Sequence, residues 1–280
     1  EKRAYALFRR LADQTWRRHG PSVKQYEKNL TRVLPDASPA EIRDVSRAGL
    51  QSYAHYWCDA FRMPDWPRSR ILDFQVDGLE HIDAALADGG KLVFAGPHGG
   101  NYDHGAAFIA QKYGSLTTVA ERLKPERLFR RFVAFRQELG MEVLGTGQGD
   151  LVATLVDRAE AGSIIGLVGD RDLSHHGVPV TLFGEPTSMP AGPALVARRT
   201  GATLLAVNFI YRDGQPAATV FDPLTVPTTG TEEHDVATMT QALAARFEIG
   251  ISEHPSDWHM LQPLWRADLD PRRLARAESR

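Results

Sequence analysis

Residues 91–110, KLVFAGPHGGNYDHGAAFIA, place a histidine and an aspartate five positions apart, His98 and Asp103, at a Gly/Pro-rich turn between an apolar run and a helical pattern. An imidazole titrates near neutral pH, and a carboxylate beside it fixes the ring's tautomer and steadies its charged form, so such a pair could act as a general base. Bare His-x4-Asp spacing is a weak signal, but its setting strengthens it. Glycines 96, 99 and 100 let the backbone turn sharply and approach a ligand closely. A strand that ends in glycines and hands over to a helix is also where open α/β sheets hold ligands, beyond the carboxyl ends of the strands. The competing reading of His98 is a loop histidine bonded to a carbonyl. His104 is expected to point elsewhere.

Two further stretches carry charge to strand ends. In GLVGDRDL, residues 166–173, an apolar run ends in Gly169 and is followed by Asp170, Arg171 and Asp172. If the sheet is parallel, these emerge on the same edge as His98. In TVAERLKPERLFRRFVAFR, residues 118–136, Glu121 and Arg122 end a strand and a helix follows with Arg127, Arg130, Arg131 and Arg136. With Lys124, six basic residues stand against Glu126 alone from 122 to 136, and Leu128, Phe129, Phe132 and Phe135 make the helix amphipathic. The basic face reads either as a solvated surface or as a patch for phosphates, of coenzyme A or of anionic lipid heads.

Other chemistries find less support. A metal site would use His98, Asp103 and His175 or His176, without the His-x3-His or Cys-x2-Cys spacing of a dedicated centre. No G-x-S-x-G elbow is present, which disfavours a serine hydrolase. GTGQGD, residues 145–150, has the wrong spacing for a dinucleotide fingerprint, and Asp150 is read as a helix cap.

The elements that must position these residues fall into two parts. Residues 1–66 read as helical. From Ile71 strands alternate with helices: strands at Asp73–Val76, Lys91–Ala95, Leu116–Ala120, Met141–Leu144, Ser163–Val168, Val178–Phe183, Thr203–Tyr211 and Ala218–Phe221, and helices at 79–88, 101–112, 125–139, 150–161 and 190–200. A last helix, about 232–252, and a tail with Trp258 and Trp265 close the chain. Near-continuous Val/Ile/Leu strands predict an α/β fold: a mostly parallel central sheet covered by helices on both faces, with an N-terminal helical extension. The expectation is one domain over 1–280, with the extension at 1–66 and the core at 71–268.

Within the extension, the helix from about Lys2 to Arg18 sets Leu7, Phe8, Leu11, Ala12 and Trp16 on one face and Lys2, Arg3, Arg9, Arg10, Arg17 and Arg18 on the other. Such a helix packs on a core or lies in a membrane interface. Ser38-Pro39-Ala40-Glu41 reads as a capping box opening a helix to about Arg62. The aromatic run 53–61, YAHYWCDAF, is expected to form core or groove wall, with Cys58 a buried small side chain rather than a nucleophile.

Composition narrows the classes. The 280 residues carry a net charge of −2, which argues against a nucleic-acid binder. One cysteine excludes an intrachain disulfide framework and fits a reducing compartment. No apolar run approaches the roughly 18–20 residues that span a bilayer. No signal-peptide pattern is seen, and the chain opens at Glu1 without a methionine, which leaves room for an upstream segment.

PHGGNYD, TVAERL, GDRDL, FGEPTSMPAGPALVARRTGA and HPSDWHMLQPLW, in unbroken order over roughly residues 40–268, together resemble the bacterial lysophospholipid-type acyltransferases of the lipid A lauroyl/myristoyl branch. Within that branch the chain is most similar to the actinobacterial phosphatidylinositol mannoside acyltransferases. The resemblance implies an α/β core, a peripheral position on the cytoplasmic face of the cell membrane, no cofactor, and acyl transfer from acyl-coenzyme A, with palmitoyl-coenzyme A expected, to a glycolipid acceptor. The family's His-x4-Asp/Glu motif falls on His98 and Asp103, its arginine after the third strand on Arg122, and its later acidic residue on Asp170 or Asp172. Lipid A members generally carry Glu in the first motif and Tyr-Arg-Pro in the second. Asp103 and Ala120-Glu121-Arg122 therefore point to the mannoside branch. The implied mechanism is direct transfer, with His98 as base, Asp103 and Asp170 holding its ring, and amides of the glycine turn or an arginine holding the oxyanion. Arg122, Arg136 and Arg171, with Glu121 and Asp172, are the expected substrate contacts. Aromatics of 53–61 or 129–135 would line the acyl groove. Another lipid acceptor, or a non-catalytic acyl-coenzyme A or lipid binder, are the alternative readings.

Overall fold

The computed structural model describes residues 1–122, 125–147, 149–172 and 177–269, with the side chain of Leu128 left out. In chain order its elements are α1 (Lys2–Arg18), α2 (Pro21–Val33), α3 (Pro39–Arg62), α4 (Arg68–Leu72), β1 (Gln75–Asp77), α5 (Leu79–Leu86), β2 (Leu92–Gly96), α6 (Tyr102–Tyr113), β3 (Leu116–Ala120) and α7 (Glu126–Glu138). There follow β4 (Met141–Gly145), α8 (Leu151–Glu160), β5 (Ile164–Val168), β6 (Val178–Leu182), β7 (Glu185–Met189), α9 (Gly192–Thr200), β8 (Thr203–Arg212), β9 (Gln215–Val220) and α10 (Glu232–Glu253).

Seven strands form one sheet in the order β1-β9-β8-β2-β5-β3-β4. β8, β2, β5, β3 and β4 run parallel, β9 is antiparallel to β8, and β1 is parallel to β9. Alternation along β2 explains the layering. Val93 and Ala95 enter one apolar core with residues of α8, α9 and α10, while Leu92 and Phe94 enter a second core with residues of α4 to α6 on the opposite face. Both faces are thus covered, as the apolar strands predict. The N-terminal helices hold smaller cores of their own around Ala12, Val23 and Leu50 and around Tyr26, Leu30 and Ile42.

Local signals act as read. Ser38 Oγ accepts from the Glu41 amide (3.3 Å), and the Ser38 amide donates to the Glu41 carboxylate (2.7 Å), so both halves of the capping box form. Asp150 caps α8 by accepting from the Ala153 amide at 3.0 Å. Three expectations are corrected. β1 begins two residues later than read. β6 does not join the main sheet but pairs with β7, which the sequence reading missed, in a separate antiparallel hairpin. β9 begins at Gln215 and runs back along β8 after a short turn at Asp213 and Gly214.

The turn after β2 is pressed against β8. A Cβ added at Gly100, which sits at φ +46°, would meet the Ile210 amide nitrogen at 2.5 Å, and one at Gly105 would meet the Phe209 ring at 2.3 Å. Backbone atoms cannot swing aside, so Gly100 is required both for its left-handed conformation and for its close approach. Gly100→Ala is expected to lower unfolding free energy by about 2–5 kcal/mol, combining left-handed strain with overpacking. Gly114→Ala, at φ +94° with open space around it, should cost only the strain, roughly 1–2 kcal/mol. Denaturant unfolding of the two variants checks this.

Candidate active site

The register of the sheet decides which side chains meet. β2 and β5 are adjacent and parallel, with Gly96 opposite Val168. Two residues beyond that pair, past the strand ends, stand His98 after β2 and Asp170 after β5. The His98 ring lies with Nδ1 2.6 Å from Asp170 Oδ1, and the His98 amide donates to Asp170 Oδ2 at 3.0 Å. Trp258 Nε1 donates to the same Oδ2 at 2.9 Å. Asp170 is fully buried, and His98 keeps 37% of its side chain exposed. Burial pushes the Asp170 carboxyl up. The facing imidazole, the indole N–H and the His98 amide outweigh it, and the carboxyl lies below the ordinary range. An ionised carboxylate accepts, so in the neutral ring Nδ1 carries the proton and Nε2 presents a lone pair. This is the arrangement a general base requires.

Asp103 does not hold His98. Its Oδ2 accepts from the Tyr56 hydroxyl (2.8 Å), and its Oδ1 accepts from Arg136 Nε and takes the Arg136 Nη2 ion pair, both at 2.8 Å. The first turn of α6 carries Asp103 toward α3 and α7, whereas His98 sits before that helix at the level of the strand ends. The sequence neighbour is therefore replaced by the partner from the adjacent strand. Arg136 is corrected with it. Rather than facing a phosphate, its guanidinium is buried against Asp103 and lies 4.2 Å from the centre of the Phe132 ring. Burial works against the Arg136 charge, but Asp103 more than restores it. The Tyr56 hydroxyl lies 2.8 Å from that of Tyr102, whose ring meets the His98 ring edge-on at 6.1 Å. Asp103 and Arg136 thus brace the floor of the site.

Of the other expected contacts, Arg122 is exposed and pairs with Glu126 (3.0 Å), and Glu121 beside it is exposed as well. Arg171 is half-buried directly after Asp170, and Asp172 accepts from the Gly177 amide at 2.9 Å. All four follow the carboxyl ends of β3 and β5, the edge that carries His98. Arg127, Arg130 and Arg131 form the exposed face of α7 over a buried Phe129. His104 points away, with Nε2 3.0 Å from the Ile71 carbonyl, and Cys58 is buried, its thiol pushed up by burial. His175, His176 and Lys124 lie outside the described residues. Among those described, no group of three or more His, Cys, Asp or Glu could hold a metal ion.

Sequence reasoning missed the residues that strap the turn in place. The Gly100 amide donates to the Asp257 carbonyl (2.9 Å) and the His259 amide to the His98 carbonyl (2.7 Å), so residues 257–259 lie antiparallel to residues 98–100. Ser52 of α3 donates to Asp257 Oδ1 (2.7 Å) and lies 3.0 Å from His259 Nε2. Burial, aided by the nearby His98, pushes the His259 ring down to about 3, so it stays neutral. The only available signal was the motif HPSDWHM, which named no partner. A cavity of about 880 Å³ on the side of α1 and α3 does not take in His98. Its walls include Tyr5, His55, Asp59 and Tyr211, and Asp59 is already bonded to Tyr5, Asn101 and Tyr211.

Comparison with known proteins bears on this site. Residues 1–267 match the family described as bacterial lipid A biosynthesis acyltransferase. The chain is 44% identical over 269 residues to a phosphatidylinositol mannoside acyltransferase of Mycobacterium tuberculosis (strain H37Rv), covering 94% of this chain and 83% of that one. It is 42% identical over 280 residues to the protein of the same name from Mycolicibacterium smegmatis, covering 99% and 90%. A solved 1-acyl-sn-glycerophosphate acyltransferase from Thermotoga maritima aligns over 88% of this chain and 94% of that one, at TM-score 0.42 and 11% identity, too distant to carry an argument.

The Asp103–Arg136 pair predicts its own test. Asp103→Ala strands a buried guanidinium and Arg136→Ala a buried carboxylate, so each should destabilise by about 3–5 kcal/mol. The double variant should cost clearly less than the sum of the two, as measured by a double-mutant cycle in denaturant.

Proposed function

The chain belongs to the bacterial lipid A biosynthesis acyltransferase family, and on that footing we propose that it transfers a fatty acyl chain from acyl-coenzyme A, palmitoyl-coenzyme A foremost, to a sugar hydroxyl of a phosphatidylinositol mannoside. The observation that supports the reaction is the half-exposed His98 with Nδ1 held by a buried Asp170 at the sheet's carboxyl edge. The names of the relatives support the acceptor.

In this reading the acceptor hydroxyl gives its proton to His98 Nε2 as its oxygen bonds to the thioester carbonyl carbon. The tetrahedral intermediate then collapses with cleavage of the C–S bond, and the imidazolium returns the proton to the leaving thiolate. Asp170 holds the tautomer and faces the imidazolium charge. Help of this kind contributes typically about 10²–10⁴-fold. The amides of His98 and Gly100 are already engaged by Asp170 and Asp257. This leaves the Gly99 amide and Arg171 as the proposed donors to the oxyanion. Arg122 and Arg171, with Glu121 and Asp172, are the proposed phosphate and sugar contacts. No cofactor is needed.

The proposed seat is the cytoplasmic face of the membrane. No described helix is long and apolar enough to cross a bilayer. On α1 the inner part of the apolar arc is covered, Ala12 buried and Trp16 bonded to the Arg43 carbonyl (3.1 Å), while Leu7 and Leu11 stay 55% and 50% exposed. Phe61, 69% exposed, lies beside Phe8 at 6.2 Å and extends that surface, and Lys2, Arg3, Arg9 and Arg10 are exposed around it. Apolar side chains inside a basic rim suit an anionic lipid surface.

Two measurements test the reading. Release of coenzyme A from palmitoyl-coenzyme A should be stimulated by a phosphatidylinositol mannoside. It should be abolished in His98→Ala and reduced by about 10³–10⁴ in Asp170→Asn, as when a base loses the partner that fixes its tautomer. Release that survives in His98→Ala would move the chemistry elsewhere, and tight acyl-coenzyme A binding without release would favour a binding protein. On vesicles containing anionic lipid, burying one exposed leucine is worth roughly 1.5–3 kcal/mol. Combined Leu7→Ser, Leu11→Ser and Phe61→Ser should therefore weaken binding at least about tenfold. Unchanged binding in that variant, or after removal of residues 1–18, would discard the membrane face.

A further inference from the structure

Resting on the base proposed above, we propose that Trp258 is a positioning residue for the reaction: its indole N–H locks the Asp170 carboxylate in the orientation that aims His98. A buried indole N–H needs an acceptor, and a backbone carbonyl ordinarily suffices. The neighbouring Trp265 shows the ordinary solution, donating to the Leu182 carbonyl at 2.9 Å while packing edge-to-face on Trp258 at 6.1 Å. Trp258 instead spends its single donor on a buried carboxylate, one hydrogen bond from the base.

The consequence is geometric. Asp170 Oδ2 takes two donors, the indole at 2.9 Å and the His98 amide at 3.0 Å, and leaves Oδ1 to His98 Nδ1. The carboxylate cannot turn about its Cβ–Cγ bond without losing both donors on Oδ2. Trp258 is itself clamped on each side. Its flanking residues hydrogen-bond to the catalytic turn, Ser52 of α3 holds Asp257, and Asn29 of α2 holds the Met260 and Gln262 carbonyls at 2.7 and 2.9 Å. The backbone strap already ties down the turn. The indole contributes something the strap does not, namely the direction and basicity of the carboxylate.

The effect on pH dependence has a definite sign. Without the indole N–H, the Asp170 carboxylate is more basic and faces an imidazolium more strongly, while Tyr102 and the neutral His259, the other titratable groups beside the ring, are unchanged. The acid limb of kcat/KM should then move to higher pH.

The test compares Trp258→Phe with incorporation of β-(3-benzothienyl)alanine at position 258, which replaces the N–H by sulfur at nearly constant shape and so guards against misfolding. Loss of a hydrogen bond to a charged group should lower kcat roughly 10- to 100-fold, with KM for palmitoyl-coenzyme A unchanged and the acid limb shifted upward in both variants. Trp265→Phe, which loses an indole bond of the same length away from the pair, should lower thermal stability and leave the limb in place. The downfield ring N–H resonance of the His98–Asp170 bond, read without substrate, should move in both 258 variants and not in Trp265→Phe. Folded 258 variants with wild-type kcat, acid limb and resonance would overturn the proposal while leaving the His98 reading intact. A resonance that moves in a protein showing no acceptor-dependent release would uphold the positioning and reject the acyl transfer.

Discussion

A fully buried carboxylate, Asp170, is the constraint on which the arrangement depends. Taking an ionised carboxyl out of water costs several kcal/mol even after relaxation, and only dense, well-directed donors offset it. Asp170 finds three: the ring and amide of His98 and the indole of Trp258. Two long-range features fix them. The ring and amide arrive through the register of β2 on β5, and the indole arrives on a strap laid across the turn. The glycines that let the turn press on β8 belong to the same requirement, because a turn standing further off would withdraw two of the three donors.

The second buried carboxylate of the site shows what distinguishes a structural pair from one proposed to move a proton. Asp103 faces a guanidinium, which does not give up its proton in proteins, so the pair stays ionised and braces α6 against α7 and α3. Asp170 faces an imidazole, whose proton is exchangeable near neutral pH. Both carboxylates are buried and satisfied, and both follow β-strands at the same edge. The partner alone separates scaffold from chemistry.

This is also why the site was only partly legible in the sequence. Strands such as β2 and β5 are legible to within about a residue because apolar runs bounded by glycine leave little choice. The capping box at Ser38 and the cap at Asp150 are local chemistry and were readable for that reason. β7 escapes because EPTSM has neither an apolar run nor a clean alternation, and the run at Val178–Phe183 reads as a strand without a partner, because periodicity does not name one. The same limit governs the chemistry. Spacing joined His98 to Asp103, five residues away, whereas the structure joins it to Asp170, 72 residues away, by a register no local pattern encodes. Arg136 looked like one more member of a basic face. Its neighbours Arg130 and Arg131 do lie on that face, and only the tertiary packing turns Arg136 inward.

The helical layer belongs to this network rather than being an ornament on it. α3 presents Ser52, Tyr56 and Asp59 inward, to Asp257, Asp103 and Asn101, and Phe61 outward. Ser52 and Phe61 are nine residues apart on one continuous helix, a rise of about 13–14 Å. A helix held at three points, Ser52, Tyr56 and Asp59, over about 10–11 Å of that rise has little freedom to tilt against the turn it supports. The exposed apolar patch of α1 and α3 and the edge bearing His98 are therefore set at a fixed separation by hydrogen bonds, not joined through a flexible tether. Under the proposed function, a lipid surface seated on the patch would meet the proposed base at one orientation, which would limit the acceptor hydroxyls within reach of Nε2 before any contact to the sugar is made.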